Sequence, residues 1–192
     1  MKSKLIPFDL ETGKIPESVQ DSLKRHISDL AGIFADTDAL NAMAAEDDRL
    51  VYEFYDMGMP ETEGDLAFGT SIVYPGLVGR EFFMTKGHFH TILDTAEVYY
   101  CLSGHGVMMM EDPEGHVEYQ EMRPGEAVYV PGKYAHRSVN ISRDQKLVTF
   151  YVFRADAGHD YGTIEQKGFR KLVVENGDSY AVVDNPRWGE NT

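Results

Sequence analysis

Cysteine is nearly absent from this chain: Cys101 is the one thiol in 192 residues. An intrachain disulfide is therefore excluded, which points to a reducing compartment. Long apolar runs are missing too. None approaches the roughly 18 residues that a membrane span requires, and Met1 to Leu10 lacks the apolar stretch of a secretory leader. A cytoplasmic protein is expected. Positive charge is scarce, with 18 Lys and Arg against 32 Asp and Glu, a net charge of −14. That field repels nucleic acid and anionic membrane, so neither is expected as a partner. An anionic substrate would need local cations or backbone N–H donors at its site. Internal repeats and low-complexity tracts are absent, and no Walker-type loop is present to cradle a nucleotide phosphate.

What is there is an ordinary globular composition, 42% hydrophobic and 26% charged, at a length that suits one domain with a short appended segment. The spacing of Val19, Leu23, His26, Ile27 and Leu30 predicts a helix over 18–30, capped by Ser18. A second short helix is expected over 36–45, with Asp36 or Thr37 as its cap. Residues 1–49 thus read as a helical and extended segment that packs on the rest of the chain or on a partner subunit. From Leu50 the texture changes to short aromatic and β-branched runs. Strands are expected near 50–55, 66–74, 80–84, 97–102, 106–111, 116–121, 126–130, 137–141 and 146–153. Gly and Pro punctuate them, and Asp112-Pro113-Glu114-Gly115 suggests a hairpin. A helical piece near 163–167 and strands near 170–175 and 179–183 complete residues 50–192. The fold class is all-β, a barrel or sandwich. Cys101 lies in an apolar run and reads as a small buried hydrophobe.

The chemistry concentrates in Lys86-Gly87-His88-Phe89-His90, then Glu97 after six residues, and His136 behind Pro131-Gly132. Alternate residues of a strand share a face, so Lys86, His88 and His90 point the same way. On the strand that begins at Glu97, Tyr99 and Cys101 share its face. Three imidazoles and a carboxylate suit one divalent transition metal, Fe, Mn, Ni or Zn. Four protein ligands leave two positions of a six-coordinate ion for a substrate that chelates through neighbouring oxygens. A single histidine is more often a surface or core residue than a ligand; the added Glu97 and the Pro-Gly turn before His136 carry the metal reading. His26, His105 and His116 are not expected among the ligands.

These residues resemble the two motifs of the cupin superfamily. His88, His90, Glu97 and Gly104 match the first, with a longer gap before the glutamate and Phe82 where a glycine is usual. Gly125, Pro131, His136 and Asn140 match the second, with the glycine at 132 and Lys133 in its usual place. The strings 81–90, 155–164 and 183–188, and the segments 51–53 and 63–66, are similar to the cupin-type glucose-6-phosphate isomerases, over almost the whole chain. The resemblance implies a cupin (jelly-roll β-barrel) with a short N-terminal helical segment. It implies a homodimer that interconverts glucose 6-phosphate and fructose 6-phosphate at one divalent metal per subunit, Fe2+ first, with Mn2+, Ni2+ or Zn2+ also suited. In that family's terms the metal ligands are His88, His90, Glu97 and His136, and Glu97 is the candidate base for a cis-enediol route. A metal-assisted hydride shift needs no such base. Tyr99 would hydrogen-bond a sugar hydroxyl, or only fill the barrel interior. The glycine-flanked His159 and Tyr161 would close the sugar site, with His159 aiding ring opening. Thr85, Lys86 and Gly87 offer phosphate donors, and the resemblance adds the hydroxyls of Tyr52 and Ser71. The family carries Tyr where Phe153 stands. The alternatives are an Fe-dependent cupin dioxygenase and a non-catalytic sugar-binding cupin.

Overall fold

The computed structural model describes residues 5–10, 12–14 and 21–189. Nearly every regular element is a β-strand, and the all-β expectation holds. Strands β1 (Asp21–His26), β2 (Leu50–Asp56), β3 (Leu66–Val73), β11 (Leu147–Arg154), β6 (Glu97–Ser103) and β9 (Ala127–Val130) form a six-stranded sheet in that order. A three-stranded sheet runs β10 (Ala135–Asn140), β7 (Gly106–Glu111), β8 (Val117–Met122), and a four-stranded one runs β13 (Ser179–Asp184), β12 (Lys171–Asn176), β5 (Glu81–Phe82), β4 (Leu77–Val78). Every pairing is antiparallel. Among the described residues there are also two short α-helices, α1 (Thr37–Glu46) and α2 (Gly162–Lys167). No helix among the described residues is long and apolar enough to cross a membrane.

The expected strands are present with ends displaced by a residue or two, save 80–84, where only Glu81 and Phe82 form a strand. Helix α1 starts as expected at Asp36, whose carboxylate accepts from Ala39 N at 2.9 Å. The hairpin at 112–115 is closed by Gly115 N donating to Asp112 O at 3.0 Å. Cys101 is fully buried, and burial pushes its thiol up to about 11.

The helix expected over 18–30 is not formed. Asp21–His26 is instead the edge strand β1, and Ile27–Leu30 is a 3₁₀ turn; Ser18 and Val19 lie outside the described residues. Leu23, Ile27 and Leu30 satisfy a helical period, but β2 presents an edge that β1 pairs with over its whole length. Exposure then alternates along 22–25 with the period of a strand. Tertiary pairing overrides a weak local preference here.

The segment 83–90 carries half of the site without being a regular strand. It lies along β10: Thr85 N donates to Ser138 O (2.9 Å), Asn140 N to Phe83 O (2.9 Å), and His88 and His136 exchange both backbone bonds at 3.3 and 3.1 Å. Gly87 interrupts it at φ +79, and a Cβ there would sit 2.6 Å from the Phe169 ring. The core lies between the sheets and includes Phe34, Phe83, Met108, Met109, Leu147 and Phe169.

Asn140 anchors this arrangement. It is fully buried; its amide donates to Val73 O (2.9 Å) and Gln145 O (2.8 Å), and its carbonyl accepts from Ser142 N (2.9 Å). One side chain thus joins β10 to β3 and to the loop after β10. Asn140→Ala would leave these groups unpaired in the core and should destabilise the protein by about 3 kcal/mol. A thermal melt should show a midpoint lowered by roughly 10 °C; a midpoint within 2 °C of the parent would refute this role.

Candidate active site

His88, His90, Glu97 and His136 converge. One ligand atom from each lies within 4.8 Å of the others, and the group is buried apart from a part-exposed His88. Glu97 opens β6 on the large sheet, His136 lies on β10, and His88 and His90 come from the segment paired to β10. Glu97 Oε2 is 3.2 Å from His90 Nε2 and 2.9 Å from His136 Nε2.

The hydrogen bonds behind the rings decide which nitrogens are bare. The Thr95 hydroxyl donates to Ile92 O (2.7 Å), so toward His90 it can only accept. His90 Nδ1 therefore carries the proton and donates to Thr95 Oγ1 at 2.8 Å. His136 Nδ1 faces a carbonyl, Tyr134 O, at 3.4 Å, and a carbonyl also only accepts. Both Nε2 atoms then turn lone pairs toward an ionised carboxylate, which is repulsive unless a cation intervenes. A single proton relieves one such contact. Yet the Nε2 atoms of His88 and His136 make no well-aligned hydrogen bond, although that of His136 lies 2.9 Å from Glu97 Oε2. The donor set fits a metal ion that touches all four residues.

Electrostatics agree. Burial alone would raise the Glu97 carboxyl; positive charge or donated protons on the side of His136 and His90 bring it well below the usual carboxylate range, and with both Nε2 atoms bare that role falls to a cation. Burial, with neighbouring His136 and His159, drives His88 far below the ordinary imidazole range, so it stays neutral as a ligand must. Burial, then the Glu97 charge, pushes the Tyr99 hydroxyl well above its ordinary value and keeps it protonated.

These residues lie at the floor of a cavity of about 90 Å³. His88, Glu97, Tyr99, His136, His159 and Tyr161 line it, and so do Tyr52, Ser71, Thr85, Lys86 and Gly87. The sequence-predicted residues are thus gathered in one place, with His90 just behind the wall. The loop 155–161 reaches the site by pairing with 89–92: Phe89 and Asp160 exchange backbone bonds (3.1 and 2.8 Å), and Ile92 N donates to Ala157 O (2.9 Å). The His159 ring then lies 4.5 Å from His88 and stacks on Tyr161 at 5.8 Å. The residue reaches the surface, and partial desolvation lowers its pKa. Lys86 reaches the cavity, but its ammonium lies 2.6 Å from Glu165. Phe153 stacks on His90 at 5.5 Å.

Four lining residues escaped the sequence reading: Phe54, Asp56, Ser138 and Tyr151. Strand alternation would have found them. Phe54 and Asp56 are two and four residues beyond Tyr52 on β2, Ser138 follows His136 by two, and Tyr151 precedes Phe153 by two. His105 and His116 stand apart as expected, against Glu121 (3.1 Å) and Asp112 (2.8 Å).

The sequence profile of the family described as Glucose-6-phosphate isomerase (GPI) matches residues 24–188. The glucose-6-phosphate isomerase of Thermococcus onnurineus (strain NA1) is 49% identical over 183 residues, 95% of each chain. That of Pyrococcus furiosus is likewise 49% identical over 95% of each. A putative glucose-6-phosphate isomerase 1 of Rhizobium meliloti is 39% identical over 94% of this chain and 85% of its own. A solved oxalate decarboxylase structure overlaps 55% of this chain and 26% of that one, at 25% identity and a TM-score of 0.43, too partial an overlap to argue from. Similarity of this extent, running through both halves of the site, makes the chain a member of the cupin-type glucose-6-phosphate isomerase family.

Proposed function

We propose that this chain is a metal-dependent aldose–ketose isomerase that interconverts glucose 6-phosphate and fructose 6-phosphate. The observation that carries the reading is the set of bare, buried imidazole nitrogens facing Glu97 at the floor of a hydroxyl-lined cavity. Family membership favours it over the dioxygenase and the non-catalytic sugar-binding alternatives. His88, His90, Glu97 and His136 would hold one divalent ion, Fe2+ first, with Mn2+, Ni2+ and Zn2+ fitting the same donors. When bound, the ion supplies Lewis acidity at the sugar's O1 and O2.

The remaining work falls to the protein. Glu97, kept ionised by positive charge at the site between it and the imidazoles, takes the C2 proton of the open-chain aldose. The C2–H electron pair becomes the C1=C2 bond of a cis-enediol as the C1=O pair moves to O1 and O1 takes up a proton; O2 then gives up its proton as the C2=O bond forms, and Glu97 returns its proton to C1. Tyr99 holds a sugar hydroxyl with its own protonated oxygen. His159, kept neutral by desolvation, moves the proton that opens the ring, and Tyr161 closes over the sugar beside it. Tyr52, Ser71, Thr85, Lys86 and Gly87 receive the phosphate.

A homodimer in the cytoplasm completes the proposal. Tyr100 and Tyr129, 41% and 62% exposed, share the outer face of the β6–β9 pair and offer apolar surface to a second copy. The one cysteine, fully buried, suits a reducing compartment.

Three outcomes are expected. Chelation should abolish isomerisation of glucose 6-phosphate, a restored divalent ion should recover it, and the ion should raise the melting midpoint; full activity in metal-free protein would sink the reading. Turnover in D2O should place deuterium at C2 of recovered glucose 6-phosphate, and Glu97→Gln should lower kcat by about 10²–10⁴-fold. Turnover without exchange would argue for a hydride shift. Thr95→Val removes the hydroxyl acceptor behind His90 but leaves the Thr95 carbonyl at 3.1 Å. Metal affinity, read by titration calorimetry, should fall by roughly tenfold and recover in Thr95→Ser; equal affinities would show that the hydroxyl does not orient the ring.

A further inference from the structure

Arg137 is the buried charge that the proposed mechanism does not use. It stands between His136 and Ser138 on β10, so its side chain leaves the opposite face from theirs, away from the cavity. It is 3% exposed. Its guanidinium lies 4.0 Å over the Phe169 ring; Nη2 donates to Lys86 O at 2.9 Å, and Nη1 lies 3.0 Å from Met84 Sδ. Nε has no partner. No carboxylate among the described residues lies within ion-pair distance of it. The acidic groups that face it, Glu81 and Glu111, are engaged elsewhere. Glu81 accepts from Ala35 N (2.7 Å), and Glu111 meets Lys167 Nζ (3.1 Å) and Arg170 N (2.6 Å).

The guanidinium is bonded only to neutral acceptors, and Glu81 and Glu111 balance its charge only from a distance, so a closer anion would be favoured. The peptide it grips indicates where that anion binds. The Lys86–Gly87 peptide is trans, and its carbonyl turns back to Arg137. The N–H of Gly87 therefore points the other way, to the side where Thr85, Lys86 and Gly87 line the cavity. Gly87 can hold this pose because its φ is +79 and no Cβ collides with Phe169 or His136 O. A charge-assisted bond to the carbonyl also polarises that peptide and strengthens its N–H as a donor.

We infer that Arg137 is a positioning residue for the phosphate of the substrate. It aims the Gly87 N–H into the cavity and supplies positive charge from behind the 85–87 turn. This rests on the proposed placement of the phosphate at that turn.

The test uses the metal-loaded enzyme, with inorganic phosphate as competitive inhibitor. Arg137→Met should raise both the KM for glucose 6-phosphate and the inhibition constant of phosphate at least tenfold. It should change kcat less than threefold and leave bound metal unchanged. Arg137→Lys, which keeps the charge and loses the fork, should fall between, and it carries the test where the methionine variant does not fold. Thr85→Ala serves as the reference for the turn itself. A phosphate constant raised in T85A but unchanged in both Arg137 variants overturns the inference and leaves the phosphate site standing. Constants unchanged in all three variants overturn the placement of the phosphate at this turn, and the inference with it. A lower melting midpoint or metal content in the Arg137 variants, with phosphate inhibition intact, makes the residue structural only and also overturns it.

Discussion

Two imidazole nitrogens are held against one buried carboxylate with a third imidazole close by, and the rest of the molecule is arranged so that this crowding is held rather than relaxed. Relaxation would be simple in a loop: a ring flips, or Glu97 turns to solvent. Here each member is fixed from behind. Thr95 holds His90, the Tyr134 carbonyl faces His136, and paired backbone bonds tie His88 to His136. Glu97 is the first residue of a strand paired on both sides, to Val130 and Phe153. A site held in this way is preorganised for a cation, so the reorganisation that binding would otherwise require is already made in folding.

The ligand set was legible because it obeys short-range rules. His-x-His places two rings on one side of an extended segment, and a Pro-Gly turn delivers the third. What was not legible depended on partners distant in sequence. Leu23, Ile27 and Leu30 fit a helix until β2 supplies an edge, and no local signal announces that edge. The cavity wall was half read: Tyr52 without Phe54 and Asp56, His136 without Ser138. Alternation was applied around the histidines and not carried along the neighbouring strands. Arg137 was invisible for a different reason. In sequence it is one more basic residue in His136-Arg137-Ser138, and only the fold places it under Phe169 and against Lys86 O.

Charge is handled locally against the global field. At −14 overall, the chain repels a sugar phosphate until it is close. Lys86, a half-buried basic residue that lines the cavity, is already paired with Glu165. Buried charge and backbone dipoles act instead at short range in a low-dielectric setting, where they are screened least. Under the proposed placement of the phosphate, selectivity would follow from that arrangement: long-range attraction would gather any anion, whereas a donor fixed within the cavity would reward only one whose sugar also reaches the floor.

The two departures from the general motif compensate each other. The six residues between His90 and Glu97 are not slack, because they contain the turn that sets Thr95 behind His90, closed by Thr95 N to Ile92 O at 3.1 Å. That turn needs room, and it lies on Gly132. A Cβ at 132 would come within 2.8 Å of the Asp94 backbone, so glycine is required there and not one position later. Lys133 then occupies the left-handed conformation at φ +75, alone among the described non-glycine residues. That strain is of order 1 kcal/mol, and the exposed Lys133–Asp94 pair at 3.4 Å offsets little of it. In this chain the long gap sets Thr95 behind His90, Gly132 leaves room for its turn, and Lys133 takes the left-handed conformation beside it.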